Sequence, residues 1–180
     1  MNVLVLGVTG MLGHAVYGTF MAEPRFKVWG TVRNPSKLPG LQNADASRVF
    51  RSIDALDNDA VVSVFDRSQP HVVINCVGVI KQLSEANDPL VSLPINAMLP
   101  HRLAKLCSSI GARLVHVSTD CVFSGSRGHY SESDPADAED LYGRSKHLGE
   151  LHGLPHAITL RTLIIGPSGM RIYYRLDVRQ

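Results

Sequence analysis

Cysteine is scarce in this chain: 180 residues contain only Cys76, Cys107 and Cys121. An odd number without paired spacing excludes a disulfide framework and a cysteine zinc site, and it fits reduced thiols in a cytoplasmic protein. No run of about eighteen apolar residues occurs, so no membrane-spanning helix is expected. The opening Met1-Asn2-Val3-Leu4 carries neither a basic leader nor a small-residue cleavage site, which argues against a secretory signal. Charge of one sign is not concentrated anywhere, with 18 basic residues against 16 acidic ones. That balance offers no grip to nucleic acid or to an anionic membrane. Internal repeats, low-complexity tracts and a carboxylate cluster spaced for a divalent metal are also missing.

What remains is 44% hydrophobic sequence in a length that supports one full core. Short, often β-branched runs at 3–6, 27–32, 48–53, 71–75, 113–117 and 157–162 alternate with longer mixed segments. Runs of four to six such residues, closed by Gly, Asp or Asn, are the mark of strands buried on both faces. Helical spacing of apolar residues recurs at 10–21, 58–67, 92–109 and 140–152, and Pro100 predicts a kink or boundary in the third of these. Segments 35–40 and 125–135 read as loops. The fold class predicted is α/β, a Rossmann-like, doubly wound parallel sheet with helices on both faces.

The first strand runs directly into Gly7-Val8-Thr9-Gly10-Met11-Leu12-Gly13, where a helix should open. Glycines at this spacing permit a tight turn and a close backbone approach to a pyrophosphate, and the helix N-terminus favours the anion. The same residues would also serve as an unliganded strand-to-helix turn. At the end of the second strand, where an acid would hold a ribose 2′-hydroxyl, the chain carries Arg33, with Lys37 nearby. A base at that position suits a 2′-phosphate, so NADP(H) is preferred over NAD(H). Asp54 and Ala55 lie beyond the third strand, where Asp54 either meets the adenine or caps the helix near Asn58. After the fourth strand, Val77, Gly78 and Val79 fall where backbone would pass close to a bound dinucleotide, or simply form a turn.

The fifth strand ends in Ser118-Thr119-Asp120-Cys121, which places hydroxyls at the carboxyl edge of the sheet, where open α/β sheets bind ligands. Further on, Tyr142 and Lys146 stand at i and i+4 and share a helix face. A nearby ammonium should lower the phenol pKa by stabilising the phenolate. Alone, such a pair is common on helix surfaces. Joined to the glycine turn and the strand-end hydroxyls, it resembles the extended short-chain dehydrogenase/reductase superfamily. The stretches STDCVFSG at 118–125, YSESDP at 130–135 and DLYGRSKHLGE at 140–150 narrow the resemblance to dTDP-4-dehydrorhamnose reductase and its sugar-nucleotide relatives.

That resemblance covers about residues 1–166 and implies reduction of a 4-keto-6-deoxy nucleotide sugar by NAD(P)H. It assigns ketone polarisation to Thr119, proton donation to Tyr142, and ribose binding with phenol tuning to Lys146. Asp120 matches the motif's acidic neighbour, and Asn96 matches a helix asparagine that supports a proton-relay water. Relatives more often carry an aromatic residue where Cys121 stands, and Cys121 reads as a filler or as part of the sugar pocket. Residues 1–166 are expected to form the dinucleotide-binding domain. Residues 167–180 do not resemble the family, whose substrate lobe is largely absent from the chain. A non-catalytic dinucleotide-binding regulatory module is therefore a second reading. The resemblance also implies a homodimer formed through the helices near 92–109 and 140–152.

Overall fold

The computed structural model describes residues 1–35 and 46–162. Lys37 and the expected tail at 167–180 lie outside these. Six strands, β1 (Asn2–Leu6), β2 (Lys27–Thr31), β3 (Val49–Phe50), β4 (Val72–Asn75), β5 (Arg113–Thr119) and β6 (Ala157–Thr162), make one sheet in the order β3-β2-β1-β4-β5-β6. Every neighbouring pair is parallel. The α/β class read from the alternating runs is the class observed. Successive strands step outward from β1 in one direction and then from β4 in the other. The carboxyl ends of β1 and β4 therefore diverge into a crevice, the place where this topology takes ligands.

Alternate strand residues feed two cores. Leu4, Leu6, Val73 and Leu114 meet α2 (Asn58–Ser68) and α4 (Leu99–Ser109) on one face; Val3, Val5 and Ile74 meet Tyr17 of α1 (Met11–Met21) on the other. Gly30 makes room for that second contact. A side chain there would start 2.9 Å from Val8 Cγ1 and 3.0 Å from Tyr17 Cε2.

Three expectations are corrected in detail. The third strand is two residues long instead of 48–53, because Arg48 closes a 3-10 turn and Ser52 takes a positive φ of 58°, which ends the extended run. Asp54 does not cap α2. Its carboxylate accepts from Leu56 N, and Asp57 accepts from the Asp59 and Ala60 amides at the helix start. The long helix expected over 92–109 is three pieces: α3 (Pro89–Ser92), a π-helical turn at Leu93–Met98, and α4. Pro94 and Pro100 cannot donate to an i→i−4 ladder, and the Leu99 amide bonds back five residues to the Pro94 carbonyl. The boundary signalled by Pro100 thus lies between 98 and 99.

Candidate functional site

The glycine turn forms at the carboxyl end of β1. Gly7 takes a φ of 83°, open to glycine at little cost, and its N–H meets Thr31 Oγ1 on β2 at 3.2 Å. Gly13 packs its α-carbon against the same turn, so that an added Cβ would stand 2.2 Å from the Gly7 carbonyl oxygen. Gly10 caps α1 without a side-chain hydrogen bond. Thr9 and Met11 are exposed, and Leu12 is half-buried. Bare backbone and helix N-terminus are therefore presented together, in a cradle that suits a dinucleotide pyrophosphate. Arg33 is exposed just past the end of β2. Asp54 is exposed and Ala55 half-buried beyond β3.

The turn touches the loop after β4. A side chain on Gly7 would start 3.1 Å from Val77 Cγ2, while one on Gly78 would start 3.3 Å from Asn96 Oδ1 and 3.9 Å from Lys146 Nζ. A continuous line of contacts thus runs from the phosphate turn, through Val77 and Gly78, to the lysine of the Tyr142–Lys146 pair. Asn96, fully buried in the π-turn, fastens this line. Its Oδ1 accepts from Val79 N at 2.9 Å, and its Nδ2 donates to Val79 O at 3.2 Å and to Ser145 Oγ at 3.1 Å. The side chain of this residue, expected to match an asparagine that supports a relay water, bonds the loop and the helix that bears Tyr142. Pro100, four residues on, has no N–H to give to the Asn96 carbonyl, and Gly149 closes over that oxygen: a Cβ there would stand 2.0 Å from it.

β5 continues through the two hydroxyl residues and ends at Thr119. Thr119 Oγ1 donates to Asp120 Oδ1 at 3.1 Å and accepts from Cys121 N at 3.1 Å, which caps a short 3-10 turn, Asp120–Val122. Tyr142 and Lys146 lie on α5 (Leu141–Leu148), a helix shorter than the expected 140–152, starting at its Asp140 cap and ending at Gly149. Gly143 lets the turn and the helix meet, since a Cβ there would fall 2.3 Å from the Cys121 carbonyl oxygen and 2.5 Å from Ala138 Cβ. Thr119, Tyr142 and Lys146 are thereby gathered at the carboxyl end of β5.

The electrostatics depart from expectation. Lys146 is 5% exposed and donates to the Val117 carbonyl at 2.8 Å; burial brings its pKa down to about 8, against the opposing pull of Glu150 and Cys76. Tyr142 is not lowered. Burial raises its phenol pKa, opposed by the hydrogen-bonding Thr119 hydroxyl and by the Lys81 ammonium, while Cys121 and Asp120 push it further up. Burial outweighs any lowering of the phenol pKa, and the Lys146 ammonium donates to the β5 backbone. A cation that acts on Tyr142 is Lys81, which the sequence reading did not single out. Cys121 is half-buried, belongs to neither core cluster and acts on Tyr142 and Lys81. Its partial exposure fits either the filler or the sugar-pocket reading.

Behind the pair sits a second polar assembly that sequence reading also missed. Arg161 on β6 grips Glu150 with two hydrogen bonds, Nε to Oε1 at 2.8 Å and Nη2 to Oε2 at 2.7 Å. The same guanidinium lies 4.9 Å over the Phe123 ring and donates to the Glu132 carbonyl, which ties the 123–132 loop to the sheet. The signal that could have found it is an acid at the end of a helix preceding a strand with an internal arginine. Deeper still, His116 Nδ1 faces Asn75 Nδ2 at 3.2 Å, and burial, Lys146 and His101 hold its pKa at about 2.

Comparison with known proteins bears on this arrangement. Residues 1–165 match the family described as RmlD substrate binding domain. Among curated proteins, methionine adenosyltransferase 2 subunit beta of Mus musculus is 33% identical over 149 residues, 83% of this chain and 41% of that protein. The dTDP-4-dehydrorhamnose reductase of Streptomyces griseus is 35% identical over 99 residues, 54% of this chain and 33% of that one. Among solved structures, the dTDP-4-dehydrorhamnose reductase of Bacillus anthracis in complex with NADP superposes with a TM-score of 0.71 at 24% identity, covering 89% of this chain and 52% of that one. The chain therefore spans about half, or less, of the length of these three proteins.

Proposed function

This chain belongs to the RmlD substrate binding domain family, and from that premise we propose that it is the cofactor-binding and catalytic part of an NAD(P)H-dependent reductase acting on a 4-keto-6-deoxy nucleotide sugar. The observation that carries the reading is the gathering of Thr119, Tyr142 and Lys146 at the end of β5, joined through Gly78 and Val77 to the glycine turn. In this reading residues 1–166 form the dinucleotide-binding unit, with Gly7, Gly10 and Gly13 at the pyrophosphate and Gly78 and Val79 beside the nicotinamide ribose. Arg33 favours NADP(H), and NAD(H) is a weaker ligand. No helix among the described residues is long and apolar enough to cross a membrane, and we place the protein in the cytoplasm. The grooves flanking α4, lined by Met98, His101, Arg102, Lys105 and Leu148 on one side, are where a homodimer would form.

The nicotinamide, when bound, supplies the hydride that adds to the ketone carbon. The protein's part is the oxygen. Thr119 Oγ1 turns its proton from Asp120 to the ketone oxygen and polarises it. Tyr142 then gives its proton to the alkoxide that develops. A phenol whose pKa is raised keeps that proton at neutral pH, the state a reductase needs before the hydride arrives. Lys146, anchored by Val117, holds the ribose hydroxyls and positions the reacting ring.

A second reading rests on the likeness to methionine adenosyltransferase 2 subunit beta, whose name is that of a subunit. In it the chain binds a dinucleotide as a regulatory or interaction module without turnover. One experiment separates the two. Trp29, the chain's single tryptophan, stacks on Phe50 beside the proposed specificity region, so its fluorescence reports NADPH and NADH binding directly. The reductase reading expects tighter NADPH than NADH binding, and NADPH oxidation once a dTDP-4-keto-6-deoxy sugar is added. Binding without oxidation supports the module, and absence of binding by either dinucleotide overturns both.

A further inference from the structure

Beyond the three expected residues, a second lysine, Lys81, acts at the site. The loop after β4 is held rigidly as far as Val79, by the Asn75 carboxamide oxygen on Val77 N at 3.1 Å and by both ends of the Asn96 amide on Val79. Two residues later Lys81 reaches across to Asp140, with Nζ 2.7 Å from Oδ2. Asp140 uses its other oxygen, Oδ1, to accept from Gly143 N at 2.7 Å and cap the helix that carries Tyr142. One carboxylate thus ties the loop after β4 to the first turn of α5.

Lys81 and Lys146 differ in exposure and partner. Lys146 is buried and directed to the Val117 carbonyl, whereas the Lys81 side chain is 54% exposed. We propose that the Lys81–Asp140 ion pair is a positioning element of the site, which joins the loop after β4 to the α5 cap and holds a positive charge that acts on the Tyr142 phenol. The proposal deepens the reductase reading and rests on it for its kinetic consequence.

The groups around the phenol come from three places. The end of β5 supplies Thr119, Asp120 and Cys121; α5 and its cap supply Lys146 and Asp140; the loop after β4 supplies Lys81. Asp120 and Cys121 push the phenol pKa up, and Lys81 and the Thr119 hydroxyl bring it down. Lys81 is therefore the charge whose removal leaves Tyr142 among groups that hold its proton harder. Its own pKa is raised by the hydrogen bond and charge of Asp140.

The test is an ultraviolet titration of the Tyr142 phenolate, obtained as the difference between each protein and its Tyr142→Phe counterpart. It needs no substrate. Lys81→Met should move the titration up by about half a pH unit, a threefold change in phenolate at fixed pH, as expected for a solvent-screened charge, with the shift shrinking in high salt. Lys81→Arg should restore it. Asp140→Asn keeps a cap oxygen for Gly143 but removes the carboxylate that holds Lys81 in place, so it should leave the melting temperature close to wild type and move the titration up, as Lys81→Met does. In the reductase assay the high-pH limb should shift in the same directions as the phenolate. An unmoved titration in Lys81→Met with wild-type Trp29 quenching by NADPH overturns the proposal. A moved titration in a protein that turns over no keto sugar sustains the placement of the charge and refutes the reductase reading instead.

Discussion

The two ends of the sheet achieve rigidity by opposite means. Around β1, β2 and α1 the chain removes side chains: Gly7, Gly13 and Gly30 let backbone and Tyr17 approach within distances that a methyl group would block. Around β5, β6 and α5 it adds polar ones: the buried Glu150–Arg161 pair, His116 against Asn75, and Lys146 against the Val117 carbonyl. Close packing of bare backbone is insensitive to pH and intolerant of volume. Buried ionisable groups are the reverse. The half that would hold the dinucleotide should therefore keep its structure over a wide pH range, while the half that would perform chemistry is exposed to titration.

The largest effect expected from this contrast is on the polar half alone. Tyr142→Phe should lower ketone reduction by about 10²–10⁴-fold, the usual contribution of a positioned proton donor, with NADPH quenching of Trp29 largely kept. Unchanged turnover would remove Tyr142 from the mechanism. Next comes Arg161→Met, which strands Glu150 with its side chain 1% exposed. Breaking such a pair should cost about 3 kcal/mol in urea unfolding. Burial pushes the Glu150 carboxyl up, yet Arg161, Ser118 and His147 together bring it below the ordinary 4.5. Its folded pKa is depressed, so this stabilisation is present above about pH 4.5 and lost as pH falls; the Arg161→Met protein should lack that acid-dependent component.

On the other side of the comparison, Gly13→Ala drives a methyl group into the Gly7 carbonyl and should cost about 2 kcal/mol together with NADPH binding. A variant that binds NADPH normally would mean the turn is not the cradle it resembles. The smallest effect sharpens the contrast most. His116 has a folded pKa of about 2 against an ordinary 6.5, so the unfolded chain takes up the proton first and stability falls as pH drops below about 6.5. At pH 5.5 the loss should be about 1 kcal/mol. Hydrogen exchange at that pH should open β5 and β6 before β1 and β2; equal opening would erase the distinction.

What the sequence disclosed follows the same division. The glycine turn, the strand runs and the Tyr142–Lys146 spacing were legible because each is a local pattern whose physical reason lies within a few residues. Lys81 was not, because its partner Asp140 is 59 positions away and nothing in GVIKQLSE, at 78–85, marks a charge that reaches a distant helix cap. The direction of the Tyr142 shift was not legible for a related reason: i, i+4 spacing places two side chains on one face but does not say how far the fold buries the phenol. The two-residue β3 escaped because Arg48, Arg51 and Ser52 flank a β-branched and an aromatic residue that look extended in isolation, whereas nothing in the residue type at 52 signals its positive φ. Asp57, not Asp54, caps α2, an offset of three residues that composition alone does not resolve.

The Asn96 amide has a thermodynamic corollary. Because one side chain grips both Val79, on the loop the cofactor would lean on, and Ser145, on the helix that bears Tyr142, the two binding events share a single joint. A ligand that settles the loop lowers the entropic cost of settling the helix. On the proposed function, reciprocity then requires that a sugar nucleotide seated against Tyr142 change the hold on the dinucleotide by the same factor. Cooperativity between the two substrates would thus reside in one buried carboxamide.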